Sequence, residues 1–436
     1  MKQLLTKLYG EYGRYINEYR SFPHINDGLK IVERRVLYSL YEVAKTNFQK
    51  SAKVVGFCIG NLHPHGDQSV YQSLVGMVHN NHVDGQGNFG CNIGVSDEPA
   101  AAMRYTEVKS SKHILDNCFE FINYVPFAAL ELDSEPITLP TKYPICLTGN
   151  SECQGMGFGY RTMIPCYKEK DLLIRLYWLL SNRDSAEPII RPKTNCDILS
   201  DNEKIKKILT TGRSTLTFTG KFKVVDNHNI IIYSVPPSKT FQVVLGKFEK
   251  EITIDKSLGW RDNSTTSTEI ILTILKPRML KMEELKKKLT QALTGTLTYE
   301  CNMCNENGKV QLVPVDNMLV NIYRRYKAIV ELYLKDNIAK IQNNIDELIL
   351  IENMKPLLSQ HLKDNPNDID RVINDISSKL NVELEGIKKL FDKYTLSRIF
   401  KIKTDTDDLQ IKKKEFENKL ANIITFIWKE KYNVGN

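Results

Sequence analysis

Leu29, Val32, Val36 and Leu40 recur at steps of three and four behind an Asn26-Asp27 pair. That is the spacing of one apolar helix face following a capping side chain, so a helix is predicted from this point. A short apolar segment from Ala52 to Ile59 then runs through Gly60-Asn61 into His63-Pro-His-Gly-Asp67, and Val70, Leu74 and Val78 mark a further helix face. Helix, short helix, turn and helix is helix-turn-helix order. The opposite face of the last helix carries Gln68, Ser69, Gln72 and Ser73. Such side chains suit a nucleic-acid groove or phosphate, and equally suit water.

Farther along, β-branched runs such as Ser214 to Phe218 and Ile230 to Val235 alternate with Pro, Gly and basic helical stretches, the pattern of a mixed module. Beyond Asn317 the period changes. Leu334, Ile338, Ile341, Ile345 and Leu348 form a coiled-coil seam, and Phe416, Leu420, Ile423 and Ile427 repeat it near the C-terminus. Two long helices pairing antiparallel, with residues 355–405 as a tip, are expected. The fold class is therefore α+β and helix-rich, and 436 residues are enough for two or three modules.

Composition narrows the function classes. Hydrophobic residues are 42% and charged residues 26%, as in a folded globular chain, and no apolar run reaches bilayer-spanning length. A cytoplasmic, non-membrane protein is expected. Nine cysteines, scattered and odd in number, fit reduced thiols. The net charge of +8 favours an anionic partner, and residues 204–288 hold 17 Lys and Arg against 8 Asp and Glu.

Several local motifs carry little alone. Asp84-Gly-Gln-Gly-Asn-Phe-Gly90 is glycine-rich but lacks the Lys and Ser/Thr of a phosphate-binding loop. Cys301 and Cys304 form a CxxC without a second ligand pair, so a turn with two free thiols is expected and no metal. Asp368/Asp370 and Asp405/Asp407 fit solvated turns or caps.

Taken together, six ordered blocks are specific: Asp27-Gly-Leu-Lys-Ile-Val-Glu-Arg-Arg-Val-Leu-Tyr, Ser51-Ala-Lys-Val-Val-Gly, His63-Pro-His-Gly-Asp, Val83-Asp-Gly-Gln-Gly-Asn-Phe-Gly, Ala100-Ala-Ala-Met-Arg-Tyr-Thr-Glu and Gly155-Met-Gly-Phe-Gly-Tyr-Arg-Thr-Met-Ile-Pro. They resemble the A subunits of type IIA DNA topoisomerases, the gyrase and topoisomerase IV family with its phage-encoded members. The resemblance implies a winged-helix cleavage domain at 1–124, a tower domain at 125–315, and a coiled coil with a dimer gate at 316–436. It also implies a homodimer on double-stranded DNA, and a separate subunit supplying ATP binding and Mg2+. With the chain stopping soon after its returning helix, relaxation and decatenation are expected rather than the introduction of negative supercoils.

By position, the resemblance makes Tyr105 the nucleophile toward a DNA phosphorus, with Arg104, Arg35, Arg20 and His65 around the phosphate. Lys30, Arg34, Lys53, His63, Gln68 and Ser69 are carried over as DNA-binding, and Ile164 as an intercalating wedge. The chemistry is consistent. A phenol ionises near pH 10, so at neutral pH it attacks poorly without cations or a base. Guanidinium forks match the charge that spreads over phosphate oxygens in the transition state. Departures from bacterial relatives fall at His24, Asn26 and Glu33, and at Gln68 and Gln72 where those relatives engage quinolones. Two rivals stand beside this reading. A non-catalytic architectural DNA-binding protein would keep the fold without the reaction, and a tyrosine recombinase would want its nucleophile near the C-terminus.

Overall fold

The computed structural model describes residues 2–91, 98–130, 133–181, 185–264, 268–364 and 369–434. The chain is a helix-rich α+β protein that divides into two compact units, Met1–Tyr326 and Lys327–Asn436. Among the described residues no helix is long and apolar enough to cross a membrane.

The first unit opens with helix α1 (Lys2–Ile16) and a wide π-type turn, Asn17–Ser21. Helix α2 spans Ile31–Val43, later than the apolar spacing suggested. Its cap is Lys30, whose backbone N–H donates to the Glu33 carboxylate at 2.9 Å, closing the first turn from inside. Asn26 and Asp27 do not cap it. Asp27 is wholly buried and serves instead as the counter-ion of Arg34.

Helices α3 (Ser51–Phe57) and α4 (Asp67–His79) follow, and with α2 they cover a small antiparallel sheet. Its strands are β1 (Gln49–Lys50), β3 (Glu107–Ser110) and β2 (Val83–Gln86), in that order. Leu37, Leu40, Val54, Val55, Val70, Leu74 and Val108 are each no more than 1% exposed and form the core beneath. At roughly 1.5–3 kcal/mol for each fully buried aliphatic side chain, this core is the main force holding the three helices together.

A hairpin of β4 (Phe127–Ala129) and β5 (Ser134–Pro136) comes next. Another, β6 (Cys153–Met156) with β7 (Arg161–Ile164), forms one side of a five-stranded antiparallel sheet. That sheet continues through Thr294–Glu300 and Arg213–Thr219 to Asp197–Ile198. A four-stranded antiparallel sheet contains Phe222–Val224, Asn229–Ile232, Ile270–Ile274 and Leu258–Asp262 in spatial order. Alternate residues Ile270, Leu272 and Ile274 point inward, against Leu285 and Leu289 of helix Met282–Ala292. The CxxC pair lies at a strand rather than a turn: Cys304 ends Asn302–Cys304, Cys301 immediately precedes it, and both are buried.

Helix Val315–Asp364 runs on into the second unit. Leu334, Ile341 and Ile345 are buried, and Ile338 and Leu348 are half-buried. The returning helix Asp407–Ala421 meets it where the rings of Tyr333 and Phe416 lie 6.3 Å apart. Ile351, Met354 and Leu358 of the long helix close a separate core with Ile373, Ile376, Ile387, Leu390 and Ile399. Asp405 accepts the backbone N–H of Asp407 at 3.0 Å, a turn ahead of the returning helix; Asp368 lies outside the described residues.

Candidate DNA-cleavage site

Tyr105 stands on a turn just ahead of β3, its N–H bonded to the Ala102 carbonyl, and its side chain is 64% exposed. The exposed segment has a fixed base. Tyr71 of α4 donates to the Ala101 carbonyl at 2.7 Å and sits 2.9 Å from the Thr106 hydroxyl. Thr106, wholly buried, also donates to Ser51 of α3. Ser51 and Ala52 return backbone bonds to Thr106 and Met103, and Ala101 bonds back to Asn88 in the glycine-rich loop. The exposed Arg104 places its guanidinium 4.6 Å from the Tyr105 ring centroid. A solvent-facing phenol therefore carries a cation over its face and rests on buried hydrogen bonds.

A second group, of two arginines and two histidines, is built from α2, the α3–α4 turn and the Asn17–Ser21 turn. Arg35 lies 2.8 Å from His63 Nδ1, and the His63 and His65 rings meet edge to face with centroids 4.5 Å apart. His65 Nε2 is 2.9 Å from the Tyr15 hydroxyl, and Arg20 sits over the Tyr15 ring at 5.9 Å. Burial, then the charge of Arg35, pushes His63 down to about 4; burial, then Arg20 and Arg35, also lowers His65. Both imidazoles are therefore neutral near pH 7 and can donate or accept. No hydrogen bond between described residues joins Tyr105 to this cluster, so the site has two parts.

The remaining predicted residues divide by burial. Lys30 is half-buried, its ammonium on the Gln154 carbonyl at 2.6 Å; Lys53, Gln68 and Ser69 are exposed. Arg20, Lys30, Ser69, Gln72 and Gln154 are among the residues lining one cleft of about 370 Å3. Two expectations need correcting. Arg34 is not DNA-facing: it is 6% exposed and bound through Nε and Nη2 to Asp27, whose carboxyl, pushed up by burial, is brought low by the charge and hydrogen bonds of Arg34 together with His24 and the Leu29 N–H. Ile164 is 0% exposed on β7, opposite Cys153, so it offers no surface to a duplex; the most exposed apolar side chain of that hairpin is Met156, at 82%.

Arg35 also differs from its expected role. Its Nε and Nη2 are both taken by Glu135, at 2.7 Å each, so its charge is already matched. Sequence reasoning missed Glu135, Tyr15 and Tyr71. Each reaches the site across 30 to 100 positions, and nothing in local spacing marks them. Among the described residues no three His, Cys, Asp or Glu side chains converge as a metal site. The donor set here is cationic and imidazole-rich, which fits phosphate and does not fit Mg2+.

An exposed phenol under a guanidinium and, separately, an arginine and histidine cluster on the three-helix core both present donors suited to phosphate oxygens. The chain belongs to the family of DNA gyrase and topoisomerase IV A subunits, whose model matches residues 20–432. It is 26% identical to the A subunit of DNA gyrase from Borreliella burgdorferi over 95% of this chain and 55% of that protein. It is 27% identical to the A subunit of DNA topoisomerase 4 from Staphylococcus aureus over 87% of this chain and 49% of that one. With the gyrase A subunit of Clostridium acetobutylicum the identity is 33%, over 53% of this chain and 30% of the relative. The chain spans about half the length of the first two relatives.

Proposed function

We propose that this chain is the DNA-cleaving and rejoining component of a type IIA DNA topoisomerase, with Tyr105 as its nucleophile. The observation that carries the reading is the exposed Tyr105 phenol, capped by Arg104 and anchored through Tyr71, Thr106 and Ser51, in a chain of this family. The phenol gives up its proton and its oxygen attacks a backbone phosphorus, the bond to the 3′ oxygen breaks, that oxygen takes up a proton as a free 3′ hydroxyl, and a 5′-phosphotyrosyl link forms. Reversal restores the phosphodiester without a nucleotide, because the bond energy is kept in the phosphotyrosine. Arg104 places a fork of donors where charge spreads over the phosphate oxygens.

In this reading residues 1–124 are the winged-helix domain, 125–315 the tower, and 316–436 a coiled coil ending in a dimer gate. Two copies break the two strands of one duplex, pass another through, and reseal, in the cytoplasm. A separate subunit would bind ATP and Mg2+, and the ion would supply charge stabilisation for the leaving 3′ oxygen; no residue cluster among the described residues of this chain suits that ion.

The test is a denaturant-quenched cleavage reaction of the chain, reconstituted with its partner subunit on duplex DNA. After nuclease trimming, mass spectrometry should find the nucleotide adduct on the Tyr105 peptide, and Tyr105→Phe should abolish it while retaining DNA binding. Binding with no adduct would instead indicate an architectural protein of the same fold.

A further inference from the structure

Glu135 on β5 is an acid in a neighbourhood of cations, and the cleavage reading gives it no task. Its two oxygens accept from Arg35, Oε2 from Nε and Oε1 from Nη2, and the two side chains are only 16% and 10% exposed. The third guanidinium nitrogen, Nη1, lies 2.8 Å from His63 Nδ1. A guanidinium has donors and no acceptor, so this contact makes Nδ1 the acceptor and leaves the proton of a neutral His63 on Nε2. Burial and Arg35 keep the ring neutral, with its value pushed down to about 4. A paired-donor bond to carboxylate fixes the plane of the guanidinium as well as its place. Without it, Arg35 is free to rotate or to turn toward an incoming phosphate, and His63 Nδ1 loses its donor.

We propose that Glu135 is a positioning residue of the cleavage site: it immobilises Arg35, which in turn holds His63 as the Nε2–H tautomer with its ring against His65. The proposal rests on the reading of the chain as a DNA-cleaving subunit. It assigns Arg35 the work of a buttress, and leaves the neutral Nε2–H of His63 as an uncharged donor of fixed direction. Outer partners that orient a metal-ligating histidine change metal affinity or activity by roughly tenfold to a hundredfold when removed, which sets the scale expected for a partner that orients His63.

The test uses the full chain with 15N-labelled histidine, the His63 signals being assigned by their loss in His63→Gln. Wild type should show His63 as Nε2–H, Glu135→Gln a mixture of tautomers, and Glu135→Asp, which keeps the charge, a return toward wild type. In the reconstituted complex, Glu135→Gln should lower the single-turnover rate of adduct formation at least tenfold with duplex affinity unchanged, and Glu135→Asp should recover part of that loss. A wild-type His63 tautomer in folded Glu135→Gln overturns the proposal; if that variant does not fold, a Glu135→Asp chain with wild-type rate and a mixed His63 tautomer overturns it equally. Absence of any Tyr105 adduct in the wild-type complex would overturn the cleavage reading instead, a result distinct from the histidine spectrum.

Discussion

The phenol of Tyr71 and the hydroxyl of Thr106 stand 2.9 Å apart beneath the segment that presents Tyr105. Because Tyr71 also holds the Ala101 carbonyl, one side chain from α4 fastens both ends of that segment. Tyr71→Phe removes the hydroxyl and leaves the Ala101 carbonyl without its donor, while Thr106 keeps only Ser51, at a cost of roughly 1–3 kcal/mol. A lower melting temperature and slower formation of the covalent adduct are expected. An unchanged melting temperature would contradict the anchoring.

Arg104 is exposed and bears on Tyr105 alone among the contacts described, so its removal should leave folding intact. Arg104→Ala should slow adduct formation by roughly a hundredfold or more, the loss typical of one transition-state donor. Arg104→Lys keeps the charge without the planar fork and should recover only part. Single-turnover cleavage with a denaturant quench measures both, and equal rates for Ala and Lys would show that charge plays no part.

Asp27 and Arg34 form a buried pair in which either partner alone is an uncompensated polar burden. Asp27→Asn should cost about 3–5 kcal/mol in denaturant unfolding near neutral pH. The carboxyl is depressed in the folded state, so its contribution is complete above the ordinary carboxylate range and is lost as pH falls through the folded value. The gap between wild type and Asp27→Asn should therefore narrow only in strong acid. A gap that closes above pH 5 would rule out the ion pair as its source.

His82 is 8% exposed, its Nε2 on the Thr148 carbonyl at 2.9 Å, and burial pushes it down to about 4. Between that value and the ordinary 6.5 the unfolded chain binds the extra proton, so stability rises with pH across this window. The contribution is complete above about pH 6.5 and falls away toward pH 4, on the order of 3 kcal/mol in all. His82→Gln should flatten the pH dependence of the unfolding free energy by one proton between pH 6.5 and 4.5. An unaltered slope would assign that proton elsewhere.

Ile164 fills a closed position on β7, and truncation to Ala should cost roughly 2–5 kcal/mol through lost burial and the cavity left behind. Met156→Ala, at an exposed tip, should leave stability unchanged. Urea unfolding distinguishes the two. If Ile164→Ala were as stable as wild type and reduced the bend of a bound duplex in end-to-end FRET, the intercalating role would be restored.

The elements were legible wherever a period repeated: Val36 and Leu40 for α2, Val70 and Leu74 for α4, Leu334 to Ile345 for the long helix. Chemistry was legible where residues adjoin in sequence, as Arg104 and Tyr105 do. What escaped was pairing over distance. Nothing near Arg34 announces that Asp27 is buried against it, and nothing near Arg35 points to Glu135, because burial and counter-charge are set by packing rather than by neighbours in the chain. The helix start failed for a related reason. Asp27 looked like a cap because caps and buried acids use the same residue, and only the fold decides between them.

The β6–β7 hairpin lies so close to the wide turn at Asn17–Ser21 that a methyl group on Gly155 would sit 1.9 Å from the Ser21 carbonyl oxygen, and one on Gly157 2.1 Å from Asn17 Oδ1. Asn17 meanwhile gives its Nδ2 to the Phe158 carbonyl and takes the Phe158 N–H on Oδ1, doing with one amide what a neighbouring strand does with its backbone. Aspartate has no donor for that exchange, and alanine has neither partner. Substitution is thereby resisted along this seam and left open at outward side chains such as Met156 and Tyr160, and the same seam ties down the backbone one residue after Arg20.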